Sequence, residues 1–105
     1  MRIAIDIDDV LADTLSEYEV VSPETDEAAI EAIRNADAAY GWVPPAALEV
    51  AEKLKWLHNP NAGSFFGYYY EGLVEHELTI TNPRGIYFDH ISHHILTFVL
   101  ALSRG

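Results

Sequence analysis

The chain has 105 residues, 50% of them apolar and 22% charged, enough for a core of its own and too apolar for a disordered segment. Six basic against seventeen acidic side chains leave a formal charge of −11, which repels phosphate backbones and anionic bilayers and argues against nucleic-acid and membrane partners. Cysteine is absent, which excludes disulfides and thiolate chemistry and leads to the expectation of a cytoplasmic protein.

Taken in chain order, Arg2 to Ile7 is strand-like and runs into acids, unlike a basic-then-apolar leader. Asp9 to Glu17 reads as a short helix and Tyr18 to Val21 as a second strand. Ser22-Pro23-Glu24 is expected to open a helix, with Ser as N-cap, Pro in the first turn and acids near the positive end. Its apolar positions Ala29, Ile30, Ile33 and Ala36 keep helical spacing. Ala38 to Val43 is a third strand, and Pro44-Pro45 starts a helix through about Lys53 with Leu48, Val50, Ala51 and Leu54 turned inward.

Lys55 to His58 and Leu78 to Thr81 are the fourth and fifth strands. Between them lie a loop rich in glycine and aromatics, Asn59 to Tyr70, and a helical turn at Glu71 to Glu75. The last element, Tyr87 to Ser103, is a helix with Ile91, Ile95, Phe98 and Leu102 along one side. Its most apolar part, Ile95 to Leu102, is too short to span a bilayer. Alternating strands and helices predict a flavodoxin-like α/β domain: a doubly wound, five-stranded, mostly parallel sheet with helices on both faces.

Two apolar runs stop at Asn, Pro and Gly: Leu54-Lys55-Trp56-Leu57-His58-Asn59-Pro60-Asn61-Ala62-Gly63 and Leu78-Thr79-Ile80-Thr81-Asn82-Pro83-Arg84-Gly85-Ile86. Such turns at the carboxyl ends of buried strands expose backbone N–H groups, and glycine lets an anionic ligand come close. Trp42, Phe65, Phe66 and Tyr68 are candidates for the walls of a pocket there. A tight turn at Gly63 is the plainer alternative.

With Asn35-Ala36-Asp37-Ala38-Ala39-Tyr40-Gly41 upstream and Asp89-His90-Ile91-Ser92-His93-His94-Ile95 downstream, these segments resemble, from about Glu17 to Gly105, the substrate domain of NAD-dependent D-isomer-specific 2-hydroxyacid dehydrogenases. The resemblance implies that the turn at Ala62, Gly63 and Ser64 offers backbone N–H groups to the carboxylate of a small 2-hydroxy or 2-oxo acid, beside Trp42. It also implies that Asn82 and Asp89 lie near NAD or NADP. The last helix, 87–104, would pack on a second domain or subunit, in an enzyme that is a homodimer.

The pattern departs from that family in two places. Relatives commonly carry Ala-Glu-His or Ala-Asp-His where this chain has Ser92-His93-His94. The glycines stand at 41, 63, 67, 72, 85 and 105, so no G-x-G-x-x-G occurs, and the family's catalytic residues fall past the point matching Gly105. These 105 residues therefore contain no nucleotide-binding domain and read as a fragment, a chimera or a stand-alone relative. No cofactor is expected on this chain alone.

A second resemblance covers Ile3-Ala4-Ile5-Asp6-Ile7-Asp8-Asp9-Val10-Leu11-Ala12-Asp13-Thr14, which is similar to the first motif of haloacid-dehalogenase-type phosphatases. It implies Asp6 as nucleophile, Asp8 as acid/base and Mg²⁺ as cofactor. The Lys and later acidic pair of such enzymes have no clear counterpart here. On the last helix His90, His93, His94 and Thr97 form a stripe, and His90 with His94, at i and i+4, have the spacing of a zinc-binding helix. A polar, pH-sensitive docking face explains the stripe equally well, and a non-catalytic interaction module is the third reading of the chain.

Overall fold

The computed structural model describes the backbone of residues 2–5 and all of residues 13–105. Its strands are β1 (Arg2–Ile5), β2 (Glu19–Val21), β3 (Ala38–Tyr40), β4 (Trp56–His58) and β5 (Thr79–Thr81). The helices are α1 (Asp26–Ile33), α2 (Pro45–Leu48), α3 (Glu71–Glu75) and α4 (Phe88–Arg104). All strand pairs are parallel, in the order β2-β1-β3-β4-β5, and the register sets Ala39 beside Leu57 and Leu57 beside Ile80.

The period-two alternation of a strand sorts these side chains onto two faces. Val21, Ala39, Leu57 and Ile80 point to one side, where Ile33 of α1, Leu48 of α2 and Leu73 of α3 close over them. Leu57 and Ala36 are 0% exposed, and this layer is the core. It is built on β3 and β4, with half-buried side chains from β2 and β5 at its margins. Ala38, Val20 and Tyr40 point the other way, where Leu15 packs against Ala38.

Although the five strands pair in parallel, the expected flavodoxin-like, doubly wound arrangement with helices on both faces is not what the described residues show. Helices α1, α2 and α3 adjoin one another on a single face. On the other face the described residues place Leu15, which follows the helical residues Asp13 and Thr14, and every residue of α4 is exposed. A doubly wound sheet needs the helix after the last strand to turn back across it. Here α4 projects outward, so the chain has a radius of gyration of 17.6 Å and extents of 57 × 33 × 23 Å. A compact domain of this length would have a radius of about 13 Å.

Local boundaries differ too. Thr25, not Ser22, caps α1: its backbone is extended and its hydroxyl accepts from Ala28 N–H at 3.2 Å, with Asp26 and Glu27 in the first turn. The helix expected from Pro45 to Lys53 stops at Leu48 and gives way to turns that still bury Ala51 and Leu54. The expected first helix falls largely outside the described residues. Among the described residues no helix is long and apolar enough to cross a membrane.

Candidate functional site

The carboxyl ends of β3, β4 and β5 lie side by side, so the segments leaving them meet at one rim of the sheet. Gly41 follows β3 at φ 107°, a left-handed conformation that glycine adopts without steric cost. Its N–H donates to the His58 carbonyl at 2.9 Å, and its own carbonyl accepts from the Tyr68 hydroxyl at 2.8 Å. Tyr70 donates to the Val43 carbonyl at 2.8 Å. These two hydroxyls tie the aromatic loop to the strap that leaves β3.

Asn59 organises the rim after β4. It is the buried polar residue of the described chain, 0% exposed, and its N–H donates to the Thr81 carbonyl at 2.8 Å. Its side-chain oxygen accepts from Asn61 N–H at 3.0 Å, an Asx turn, while Nδ2 donates to Ser64 Oγ at 3.0 Å. From the neighbouring strand end, Asn82 Nδ2 donates to the Ala62 carbonyl at 2.8 Å. Loop 59–64 is thus held from beneath by Asn59 and from the side by Asn82.

Within this frame the N–H groups of Ala62 and Gly63 donate to no acceptor among the described residues. Gly63 does not have a positive φ, and a Cβ built there meets no atom within 4 Å. The backbone therefore imposes no need for glycine at this position. The Cβ direction at Gly63 is open, and unpaired backbone amides can accept an anionic oxygen without a charged side chain.

The aromatic residues divide by role. Tyr68 is 1% exposed, with its ring edge-on to Phe65 at 5.4 Å and Tyr69 at 5.0 Å. Burial, reinforced by Tyr69 and Tyr70, pushes its hydroxyl up to about 12, and burial also raises that of Tyr70. Tyr68 is thus a packing residue rather than the pocket wall expected, and Phe66 stands fully in solvent. Trp42 and Phe65 remain half-exposed and meet edge to face at 5.8 Å.

A cleft of about 530 Å³ opens between α1 and the strap after β3, lined by Glu24, Asp26, Ile30, Tyr40, Trp42 and Pro44 among others. Trp42 is the one predicted site residue that lines it; Ala62, Gly63 and Ser64 do not. Its acidic mouth disfavours a carboxylate, which leaves the amide-lined loop as the better anion seat.

The remaining predicted positions scatter. Asp6 and Asp8 lie outside the described residues. Asn82 is exposed, and its side chain braces the loop through the Ala62 carbonyl. Asp89 sits in the first turn of α4, exposed and without a bond to the loop. His90 and His94 are exposed on α4, and His94 packs edge-on against Phe98 at 4.6 Å. Among the described residues no three His, Asp or Glu side chains gather as a metal site.

Strands β2, β3, β4 and β5 are each followed within four residues by proline, at 23, 44, 60 and 83, and none by a G-x-G-x-x-G run, so no step of hydride transfer is assigned to these residues.

Asn59 is the organiser that sequence reasoning passed over. The Asn59-Pro60-Asn61 triplet carried the signal, since Asn before Pro favours turn initiation and its side chain can bond two residues on. No protein-family model matches the chain, and no curated protein matches it.

Proposed function

We propose that this chain is the substrate-binding portion of an NAD(P)-dependent oxidoreductase acting on the CH–OH group of D-2-hydroxy acids, with the loop at Ala62, Gly63 and Ser64 as the carboxylate seat. The observation that carries the reading is the pair of N–H groups at Ala62 and Gly63 that bond no described acceptor, on a loop braced by Asn59 and Asn82. The segments similar to the 2-hydroxyacid dehydrogenases support it, because the matching turn is where that family binds its substrate carboxylate.

In this reading the two amides donate to one carboxylate, giving charge-assisted bonds stronger than neutral ones. Bracing matters because donors already in place lose little freedom on binding. Trp42 and Phe65 supply an apolar flank for the carbon chain of the acid. The dinucleotide and the groups that deprotonate the hydroxyl belong to another part of the enzyme. A cytoplasmic location is part of the same proposal, consistent with a chain that uses no cysteine.

The test is an NMR titration of the ¹⁵N-labelled chain with pyruvate, and with pyruvamide as the uncharged control. Saturable shifts centred on the amides of Ala62, Gly63 and Ser64 with pyruvate alone are expected. Shifts confined to the cleft beside α1, or equal shifts with both compounds, would overturn the proposal.

A further inference from the structure

The cleft beside α1 lies outside the carboxyl ends of β2 and β3, the two strands that flank β1 in the sheet. One wall is segment 23–26, which leaves β2 and enters α1; the other is the strap 42–44, which leaves β3. Strand order reverses across β1, and open α/β sheets bind ligands in the crevice at such a reversal. The volume of about 530 Å³ suits a small organic molecule. Buried Ile33 and Val43 and half-buried Ile30 give the cleft an apolar lining.

The mouth fixes the charge of what enters. Glu24 and Asp26 are exposed there, and neither pairs with a cation among the described residues. No Lys or Arg among the described residues lines the cleft, and Arg34, past the far end of α1, is held by Glu31 at 3.1 Å. The amino end of α1 brings about half a positive charge to the same mouth, which two carboxylates exceed. Trp42 lines the cleft and keeps 46% of its surface exposed, and an indole ring attracts a cation through its face.

We propose that this cleft binds a small organic ammonium ion with an apolar body. The cationic head lies among Glu24, Asp26 and Trp42, and the body lies against Ile30, Ile33 and Val43. A bare metal ion does not match, because hard cations take about six oxygen ligands and the lining here is largely apolar. An anion is repelled by the mouth and by the net charge of −11. A neutral apolar molecule gains the lining and leaves both carboxylates unused. The ordinary acidic surface attracts cations as well, but it offers no apolar contact for the body. The site takes the opposite charge from the loop at Ala62 to Ser64, so the two stand or fall separately.

The test compares phenethylammonium chloride, neutral 2-phenylethanol and anionic 3-phenylpropionate in NMR titrations of the ¹⁵N-labelled chain at fixed ionic strength. With the ammonium, saturable shifts are expected at the amides of Asp26, Ile30 and Val43 and at the Trp42 indole N–H. The alcohol should bind there about tenfold more weakly, and the carboxylate should leave those signals unmoved. The double variant Glu24→Gln/Asp26→Asn should lower the affinity of the ammonium to that of the alcohol. Trp42→Leu should lower it about threefold, with the circular dichroism unchanged in both variants. Equal affinity for ammonium and alcohol would overturn the proposal. So would shifts spread over the acidic surface without saturation, or unchanged affinity in the folded double variant.

Discussion

Replacing Gly63 by alanine separates a glycine kept for its backbone from one kept for the space above it. The residue does not have a positive φ, and the added Cβ meets no atom within 4 Å, so the folded state accommodates alanine unstrained. Alanine narrows the unfolded ensemble, which stabilises a compatible site by about 0.4–1 kcal/mol. For a domain of this size that raises the melting temperature by roughly 2–6 °C. In the proposed site the same methyl group stands beside the amides and crowds the close approach of a carboxylate. We expect at least a tenfold loss of pyruvate affinity, about 1.4 kcal/mol, in the NMR titration, alongside the higher melting temperature by circular dichroism. A lower melting temperature would show that the backbone needs glycine after all. Unchanged affinity in a well-folded variant would show that the anion does not sit over Gly63.

Asn59→Ala removes a buried amide that bonds Asn61 and Ser64, and should cost about 1–3 kcal/mol in urea unfolding while speeding amide exchange through residues 61–64. Leu57→Ala, at a position 0% exposed between the helical layer and the sheet, should cost about 2–5 kcal/mol by the same measure. The Tyr68 hydroxyl titrates near 12 in the fold against 10.0 when free, so the folded state holds the proton more tightly. Its contribution is complete below pH 10.0 and is lost as pH climbs towards about 12, where the hydroxyl can no longer donate to Gly41. Urea midpoints should fall over that window, and Tyr68→Phe should fall less steeply while starting about 1 kcal/mol lower at neutral pH.

Much of the local architecture is readable from side-chain order. The short apolar runs around Leu57 and Ile80 predict strands, and both side chains join the core. Ile30 and Ile33 predict the inward side of α1 and both join the core, as does Ala36 three residues past its end. Ser22 and Thr25 are both residue types that suit an N-cap, and only the turn into Asp26 decides that the Thr25 hydroxyl faces the orphan N–H. An aromatic in a glycine-rich loop carries no mark of whether its hydroxyl will find a carbonyl far along the chain, so the packing role of Tyr68 is not legible in its sequence position.

Periodicity by itself established that residues 88–104 form a helix with an apolar arc, and that parallel-type strands end in turns of Asn, Pro and Gly. Those properties follow from interactions within a few residues, which sequence spacing encodes directly. Which face of the sheet receives helices, whether α4 folds back, and that Asn59 and Asn82 converge on loop 59–64 were decided only by tertiary structure. Each depends on the direction of the chain through a connector and on partners distant in sequence. A helix is equally apolar on one side whether it covers its own sheet or another, so its pattern names the need for a partner and not the partner.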